Sequence, residues 1–535
     1  MYSYIEERIA SLRKVEQTRE ERLIKPVAKM TEAERRAVLD EYPDYAKNAC
    51  KILKAGVNSG DKVVKELADL LHGKPLISGK TFDLSKPDFD VDVLVIGGGG
   101  AGAAAAITAK ERGADVLIVT KLRMGDSNTV MAEGGIQAAD GPNDSPAIHY
   151  IDAFGGGRYA AKPQLLKKLV LEAPEAIAWL TGLGVVFDKN ADGEPVTSHG
   201  GGTSKKRMHA CRDFTGLEIM RTLKSEVSCR GIPVAEYSSA VEIIKDENGN
   251  AAGAVLMNTE TGDFSVAKAK TVIIATGGAG RLHCQGFPTS NHYGATADGL
   301  VIAYRSGAKL ICADTLQYHP TGAAEPSALY GNLVTEKARS LGAQLVNKDG
   351  AAFVNPLETR DVIAAAIIRE CKIGNGIKTA NGFGVWLDTP MIEKINGDGT
   401  IEKRLPSTFR TFERAGIDVR KEPIAVYPTL HYQNGGIEID ENCEAVGVKN
   451  LFACGEAAGG IHGRNRLMGN SLADIIVFGR TAGRVAADRA KNIRVGKLTL
   501  GHAENFTKEL EKAGVKPVCL SPEILGKATP NKSFD

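Results

Sequence analysis

The sequence predicts an α/β fold built on a Rossmann-like, dinucleotide-binding domain. Three observations carry this expectation. The first is Val91-Asp-Val-Leu-Val-Ile-Gly-Gly-Gly-Gly-Ala-Gly102, an apolar, β-branched run fit for a buried parallel strand and ending in G-x-G-x-x-G. The second is the stretch just after it: Ala103 to Arg112 reads as a helix of small residues, and Ala114 to Val119 as the next strand. The third is Thr271-Val-Ile-Ile-Ala-Thr-Gly-Gly-Ala-Gly280, another buried strand ending in a glycine pair. A glycine cluster alone also makes ordinary turns, but strand, turn, helix and strand in this order point to a dinucleotide site. Gly97, Gly99 and Gly102, with Gly100 among them, serve a tight turn, backbone approach to a pyrophosphate, and close helix–strand packing. The helix N-terminus offers free N–H groups and a positive dipole end to the phosphates. The second strand departs from the usual pattern, ending in Thr120-Lys121 rather than in an acid for a ribose.

Composition narrows the possibilities. At 535 residues the chain has room for two or more domains and a large core. Lys+Arg number 67 against Asp+Glu 65, a balance that gives no reason to expect nucleic acid or a membrane surface as partner. The nine cysteines include no C-x-x-C pair. They read as buried thiols of a reducing compartment, not as a disulfide framework, zinc site or iron–sulfur site, and no metal ligands are expected. The opening Met1-Tyr-Ser-Tyr-Ile-Glu-Glu-Arg lacks the apolar stretch of a secretory signal. No run approaches the ~18–20 apolar residues of a membrane span. The expected location is cytoplasmic, or the inner face of a membrane through partner subunits.

Residues 1–90 read as an N-terminal helical extension. Tyr4 to Arg22 has helical character with mixed charge, and Val63 to Leu71 is a further helical stretch. Thr31-Glu-Ala-Glu34 is a capping-box signature ahead of Arg35 to Tyr42. Large apolar residues are too few for an independent core, so an arm lying on the main body is favoured over a docking arm for a partner protein.

After the second strand comes Met124-Gly-Asp-Ser-Asn-Thr-Val-Met-Ala-Glu-Gly-Gly-Ile-Gln-Ala-Ala139, and later Ser198-His-Gly-Gly-Gly-Thr-Ser-Lys-Lys-Arg-Met-His-Ala-Cys-Arg-Asp-Phe-Thr-Gly216. From about Gln317 the pattern changes. Gln317-Tyr-His-Pro-Thr-Gly322, Thr335-Glu336 with Arg339, and Thr359-Arg360-Asp361 come next, in order. Tyr427-Pro-Thr-Leu-His-Tyr-Gln-Asn-Gly-Gly-Ile437, Leu451-Phe-Ala-Cys-Gly-Glu456 and His462-Gly-Arg-Asn-Arg-Leu-Met-Gly-Asn-Ser-Leu472 complete the series. A lone histidine is usually structural and a lone arginine usually exposed, but co-occurrence in this order weakens that explanation.

Over roughly residues 91–491 the set resembles the flavoprotein family of fumarate reductase, succinate dehydrogenase and L-aspartate oxidase, nearest in function to fumarate reductase. The resemblance implies an FAD-binding domain in two parts, 91–316 and 425–491, an inserted α+β capping domain at 317–424, and a tail at 492–535. By the same resemblance, the long C-terminal helical domain of many relatives is expected to be missing. The implied FAD contacts are Ser127, Asn128, Thr129, Gly134, Gly135, Gly277, Asp298, Glu456, Asn470, Ser471 and Leu472, beside the glycines above, Thr120 and Lys121. The family often places a histidine covalently joined to FAD where this chain has Asn128, so the flavin is expected to be non-covalent. Asn470 to Leu472 open a helix whose dipole would favour electron density on the flavin.

The resemblance also implies a mechanism. His319 and Thr335 would hold one carboxylate of a fumarate or succinate substrate, and His431 and Arg466 the other. Arg360 would donate the proton, supplied through Glu336 and Arg339. His199 stands where L-aspartate oxidases place a glutamate. It suits an anionic substrate but cannot replace that acid for an amino group. Lys205 and Lys206 read as a solvated basic turn. With one FAD fold and no haem, iron–sulfur or nicotinamide signature, a redox partner subunit is expected, most simply an iron–sulfur protein. Two other readings stay open: amino-acid oxidation of the L-aspartate oxidase type, and an electron-transfer subunit without dicarboxylate chemistry.

Overall fold

The computed structural model describes residues 3–526. Its largest sheet grows around the strand Phe89–Ile96, whose last four residues are buried. Parallel partners flank it, Val116–Val119 on one side and Phe264–Ile274 on the other. Leu451–Ala453 pairs in parallel with the far edge of Phe264–Ile274. Parallel strands buried on both faces need continuous apolar side chains, and Val93 to Ile96 with Val116 to Val119 provide them. The first half of Phe264–Ile274 pairs instead with Ala251–Asn258, an antiparallel addition to the parallel core. The strand Leu451–Ala453 comes about 180 residues after its neighbour Ile274, and the intervening chain contains a second sheet.

That second sheet has five strands. Leu316–Ala323, Ile424–Gln433, Gly382–Asp388 and Gln344–Val346 lie side by side, and Ile377–Thr379 pairs with Gly382–Asp388. The strand Ile424–Gln433 crosses the expected return to the flavin domain at 425 and pairs within this sheet throughout. It therefore brings His431 alongside His319, with their rings 5.1 Å apart. Helix Arg360–Lys372 packs on this sheet, with Ile363 and Ile367 in its core.

Helix Gly100–Glu111 and the last long helix, Asn470–Ala490, lie against each other through small residues. A Cβ on Gly483 would sit 2.1 Å from the Ala105 carbonyl oxygen, and one on Gly479 would sit 2.7 Å from that of Ala101. The helices approach until backbones touch, which leaves the G-x-G-x-x-G turn and the N-terminus of Asn470–Ala490 facing a shared space.

The N-terminal extension is less purely helical than expected. Helices Glu6–Gln17, Arg19–Ile24 and Glu32–Leu39 are present, and Thr31 with Glu34 forms the anticipated capping box. Val63, expected to be helical, lies instead in a short hairpin of Cys50–Ile52 with Lys62–Val64, and the helix begins at Lys65. The extension has no core of its own. Leu12 and Val15 enter the core of the second sheet, and Leu53, Val63 and Leu67 enter that of the large sheet. The C-terminal stretch is more structured than a tail: Leu498–Thr499 extends the large sheet, helix Gly501–Lys512 comes next, and Leu520–Ser521 pairs with Lys74–Pro75. Among the cysteines, Cys229 is exposed and Cys50, Cys312 and Cys519 are half-buried, so the expectation of uniformly buried thiols holds for five of nine.

Candidate active site

A cavity of about 540 Å³ runs from the glycine-rich turn to the buried Arg360 and Arg466. Its nucleotide end is backbone. Gly97 adopts φ 124°, and a Cβ there would lie 2.2 Å from the Ala275 carbonyl oxygen. Gly99 caps helix Gly100–Glu111, and the Gly100 N–H donates to Thr129 Oγ1 at 3.1 Å. Gly102 lies outside the lining, locked against Gly97. Thr120, Lys121, Ser127, Asn128, Thr129, Gly134, Gly135, Gly277, Asp298, Glu456, Ser471 and Leu472 all line the cavity. Asn470 does not; its side-chain oxygen is bound to His149 Nε2 at 2.9 Å.

Lys121 stands where an acid was awaited, and its ammonium is matched at once. It pairs with Asp298 at 3.1 Å and donates to Thr296 Oγ1 at 2.7 Å. Ala297, just before Asp298, holds φ 60°. A side chain in that left-handed region costs about 1–2 kcal/mol. Asn128 is fixed on three sides: its Nδ2 donates to Asn291 Oδ1 at 2.6 Å and to Glu456 Oε2 at 3.3 Å, and its Oδ1 accepts from the His292 N–H at 2.7 Å. Burial pushes the Glu456 carboxyl up to about 7, against the pull of the Gln433 N–H and of Asn128.

The far end of the cavity is a cluster of buried charge. Glu336 Oε2 accepts from Arg360 Nε at 2.7 Å and lies 3.3 Å from Arg339 Nη2, while Oε1 accepts from the Gly201 N–H at 2.6 Å. Burial alone would raise the Glu336 carboxyl, but Arg360 and Arg339 together hold it down at about 2. Burial lowers Arg339 to about 10 and, reinforced by Arg360, Arg466 to about 9. Three buried guanidiniums thus face one firmly ionised carboxylate, an excess of two positive charges. A dicarboxylate dianion matches that excess, and buried charge is tolerated only when paired.

The two histidines are neutral counterparts. Burial, with Arg360 next to them, keeps both well below the usual imidazole range. The Thr321 N–H donates to His319 Nδ1 at 3.3 Å, which leaves the His319 proton on Nε2 as a donor. His431 Nδ1 meets Ser290 Oγ at 2.8 Å. Thr335 caps helix Glu336–Ser340, and it lines the cavity together with His319, Glu336, Arg360, His431 and Arg466. Arg339 sits behind Glu336, outside the lining, and donates to the Pro356 carbonyl. His199 is half-buried and also outside it; its carbonyl accepts from Ser340 Oγ at 3.1 Å.

Gln317 opens the motif Gln317-Tyr-His-Pro-Thr-Gly322, but the sequence assigns it no role. Its Oε1 accepts from Arg360 Nη1 at 3.0 Å and from Arg466 Nη2 at 3.2 Å, so one amide oxygen ties two guanidiniums from distant elements. The available signal was period two: Gln317 and His319 share a face of one strand.

Among the described residues, six that line the cavity carry buried polar atoms without a partner: Glu133 Oε2, Ser239 Oγ, Thr276 Oγ1, Arg281 Nε, Asp298 Oδ1 and Arg466 Nε. Buried polar groups normally find partners, so these call for a polar ligand along the full length of the cavity. A model of the FAD binding domain matches residues 92–472. The chain is 40% identical to one subunit of the CoM/CoB fumarate reductase of Methanothermobacter marburgensis, over 82% of this chain and 80% of that one. The chain belongs to the fumarate reductase/succinate dehydrogenase flavoprotein family. It is also 42% identical to an uncharacterised FAD-dependent oxidoreductase of Methanocaldococcus jannaschii, over 75% of this chain and 72% of that one. A solved chain of E. coli quinol fumarate reductase superposes with a TM-score of 0.71 at 33% identity, covering 79% of this chain and 74% of that one. As a member of this family the chain is a flavin oxidoreductase, and its cofactor is FAD. The glycine turn, the unpartnered Asp298 and Thr276 oxygens, and Ser471 at a helix start suit phosphates, hydroxyls and a polar ring. Among the described residues no helix is long and apolar enough to cross a membrane.

Proposed function

We propose that this flavoprotein reduces fumarate, or a closely similar unsaturated dicarboxylate, to the saturated acid, working as one subunit of a larger redox assembly. The observation that carries the reading is the surplus of two positive charges among Arg339, Arg360, Arg466 and Glu336 at the cavity end. FAD, when bound along the glycine turn and the Asn470–Ala490 helix start, supplies the hydride. The chain's own groups hold the dianion and deliver the proton. His319 with Thr335, and His431 with Arg466, clamp the two carboxylates, and their fixed donors meet the negative charge that develops as the double bond is reduced. Arg360 gives its proton to the adjacent carbon. Arginine is a poor acid in water, yet Glu336 makes the transfer feasible. Once Arg360 is neutral, the first of the two charges depressing Glu336 is gone, and burial drives that carboxyl toward protonation. Glu336 and Arg339 then form the route that refills Arg360.

FAD is held without a covalent bond, because Asn128 offers an amide already engaged by three neighbours. A non-covalent flavin favours reduction of fumarate over oxidation of succinate. The electron donor is a partner chain, most simply an iron–sulfur protein. The reading has a direct test on the purified holoprotein. Reduced viologen should be reoxidised by fumarate faster than succinate reduces an artificial acceptor. Aspartate with dioxygen should give no comparable turnover, and FAD should pass a filter after acid denaturation. Turnover with aspartate alone would transfer the chain to amino-acid oxidation. No turnover with any acid would leave only an electron carrier.

A further inference from the structure

The connection leading into helix Arg360–Lys372 is gripped from outside along its length, and Arg360 is the first residue of that helix. Arg339 Nη1 holds the Pro356 carbonyl, and the Gly202 N–H donates to the Leu357 carbonyl at 3.2 Å. Arg158 holds Asp361 at 2.6 Å. The remaining ties come from one stretch of the N-terminal extension. Asn355 Nδ2 donates to the Val27 carbonyl at 2.7 Å. Glu358 Oε1 accepts from the Met30 N–H at 2.7 Å, and Arg35 closes a two-point fork on the same carboxylate, Nε to Oε2 at 2.9 Å and Nη2 to Oε1 at 3.3 Å. Glu358 is buried, 2% exposed, so the fork is worth more than a surface pair. Residues 27–35 lie outside the region 92–472 matched by the family domain, so this grip is not part of the shared flavin-binding unit.

We propose that the segment 27–35 is a positioning clamp for Arg360, acting through Glu358 two residues before it. The inference rests on the reading of Arg360 as proton donor. Glu336 and Gln317 fix the guanidinium plane, but the backbone that carries it is set by the 355–361 connection, and that connection is tied by Met30 and Arg35. A misplacement of about 1 Å at a reacting group costs on the order of 100-fold in rate. The carboxylate clamps His319, His431 and Arg466 stand on other elements. Loosening the Arg35–Glu358 fork therefore acts on proton delivery and leaves substrate binding in place.

The test is viologen-driven fumarate reduction by full-length holoprotein, with FAD content measured on each preparation. Arg35→Met should lower kcat about tenfold while KM stays within about twofold and FAD content is unchanged. Glu358→Gln, which keeps the Met30 bond and loses the charge, should move kcat in the same direction by less. Arg19→Met breaks one of two arginine holds on Asp388 elsewhere on the same extension, and it should leave kcat within about twofold. Should Arg35→Met fail to give holoprotein, Arg35→Lys and Glu358→Gln decide the matter. The clamp is overturned if these variants keep kcat within twofold, or raise KM alone. It is overturned equally if Arg19→Met lowers kcat as much as Arg35→Met, since the extension would then be general support. Arg360→Lys separates the two levels: near-normal turnover there removes the donor reading itself, whatever Arg35→Met does.

Discussion

Arg360 and Arg466 carry the same charge within one cavity, yet their surroundings assign them different work. Arg360 is fixed through two different nitrogens, Nε on Glu336 and Nη1 on Gln317. Arg466 is stacked over Tyr432, 4.3 Å from the ring centre, and its Nε has no partner. A lysine keeps the charge but has one donor point and no plane. Arg360→Lys should therefore lower kcat by about 100-fold or more while the dissociation constant of fumarate moves only a few-fold. Arg466→Lys should show the converse, a weakened fumarate complex with a smaller loss of kcat. Steady-state kinetics paired with fumarate titration of the oxidised flavin measures both. If Arg360→Lys lost binding and turnover in equal proportion, Arg360 would be a clamp like Arg466.

Between elements, the crossing of Gly100–Glu111 with Asn470–Ala490 sets backbone against backbone. Replacing glycine by alanine inside a helix normally stabilises it by up to about 1 kcal/mol. At Gly483 the sign should reverse, because the new methyl would meet a backbone oxygen at 2.1 Å and neither helix can yield without moving the cavity wall. Overpacking of this kind costs about 1–3 kcal/mol. Gly483→Ala should melt at lower temperature and release FAD more readily than the parent protein. Gly182→Ala, at a helix end with no atom within 4 Å of the added carbon, should be neutral or stabilising. A thermal melt followed by flavin fluorescence reads both, and an unchanged melting point for Gly483→Ala would show the helices free to part.

Across the whole molecule, the N-terminal extension joins the two sheets. Arg8 pairs with Glu325, and both Arg19 and Arg22 hold the fully buried Asp388. Tyr4 packs edge-on against Trp386 at 5.1 Å. Further along, Tyr42 donates to the Leu316 carbonyl, Asn58 binds Leu310 and Tyr304 binds the Ala55 carbonyl. Breaking a buried ion pair from one side typically costs about 3–5 kcal/mol. Asp388→Asn should accordingly free the first helices, so that trypsin cuts within residues 6–25 well before the main body. Equal cleavage rates in parent and variant would mean that the apolar contacts of Leu12 and Val15 hold the extension unaided.

Much of this protein was legible in one dimension. The βαβ order around Gly97 and Gly102, the capping box at Thr31, and the ordered motifs from His319 to Leu472 depend on local geometry or on short runs of residues, and local rules read those directly. Asn128 in place of a histidine is likewise a statement about one side chain's chemistry. Other features required the chain to be folded. Gln317 matters because a helix start 43 residues on and a segment 149 residues on place two arginines on one amide oxygen. Lys121 is neutralised by a residue 177 positions away. The strand Ile424–Gln433 pairs within the second sheet and so sets His431 beside His319, and no local pattern in it says which sheet it will enter. The grip of residues 27–35 on Glu358 has no sequence signature, since any exposed helix carries arginines and glutamates. Sequence determined which chemical groups exist and which local elements they ride on; tertiary structure decided which charges are buried together, because desolvation and pairing act between residues that only folding makes neighbours.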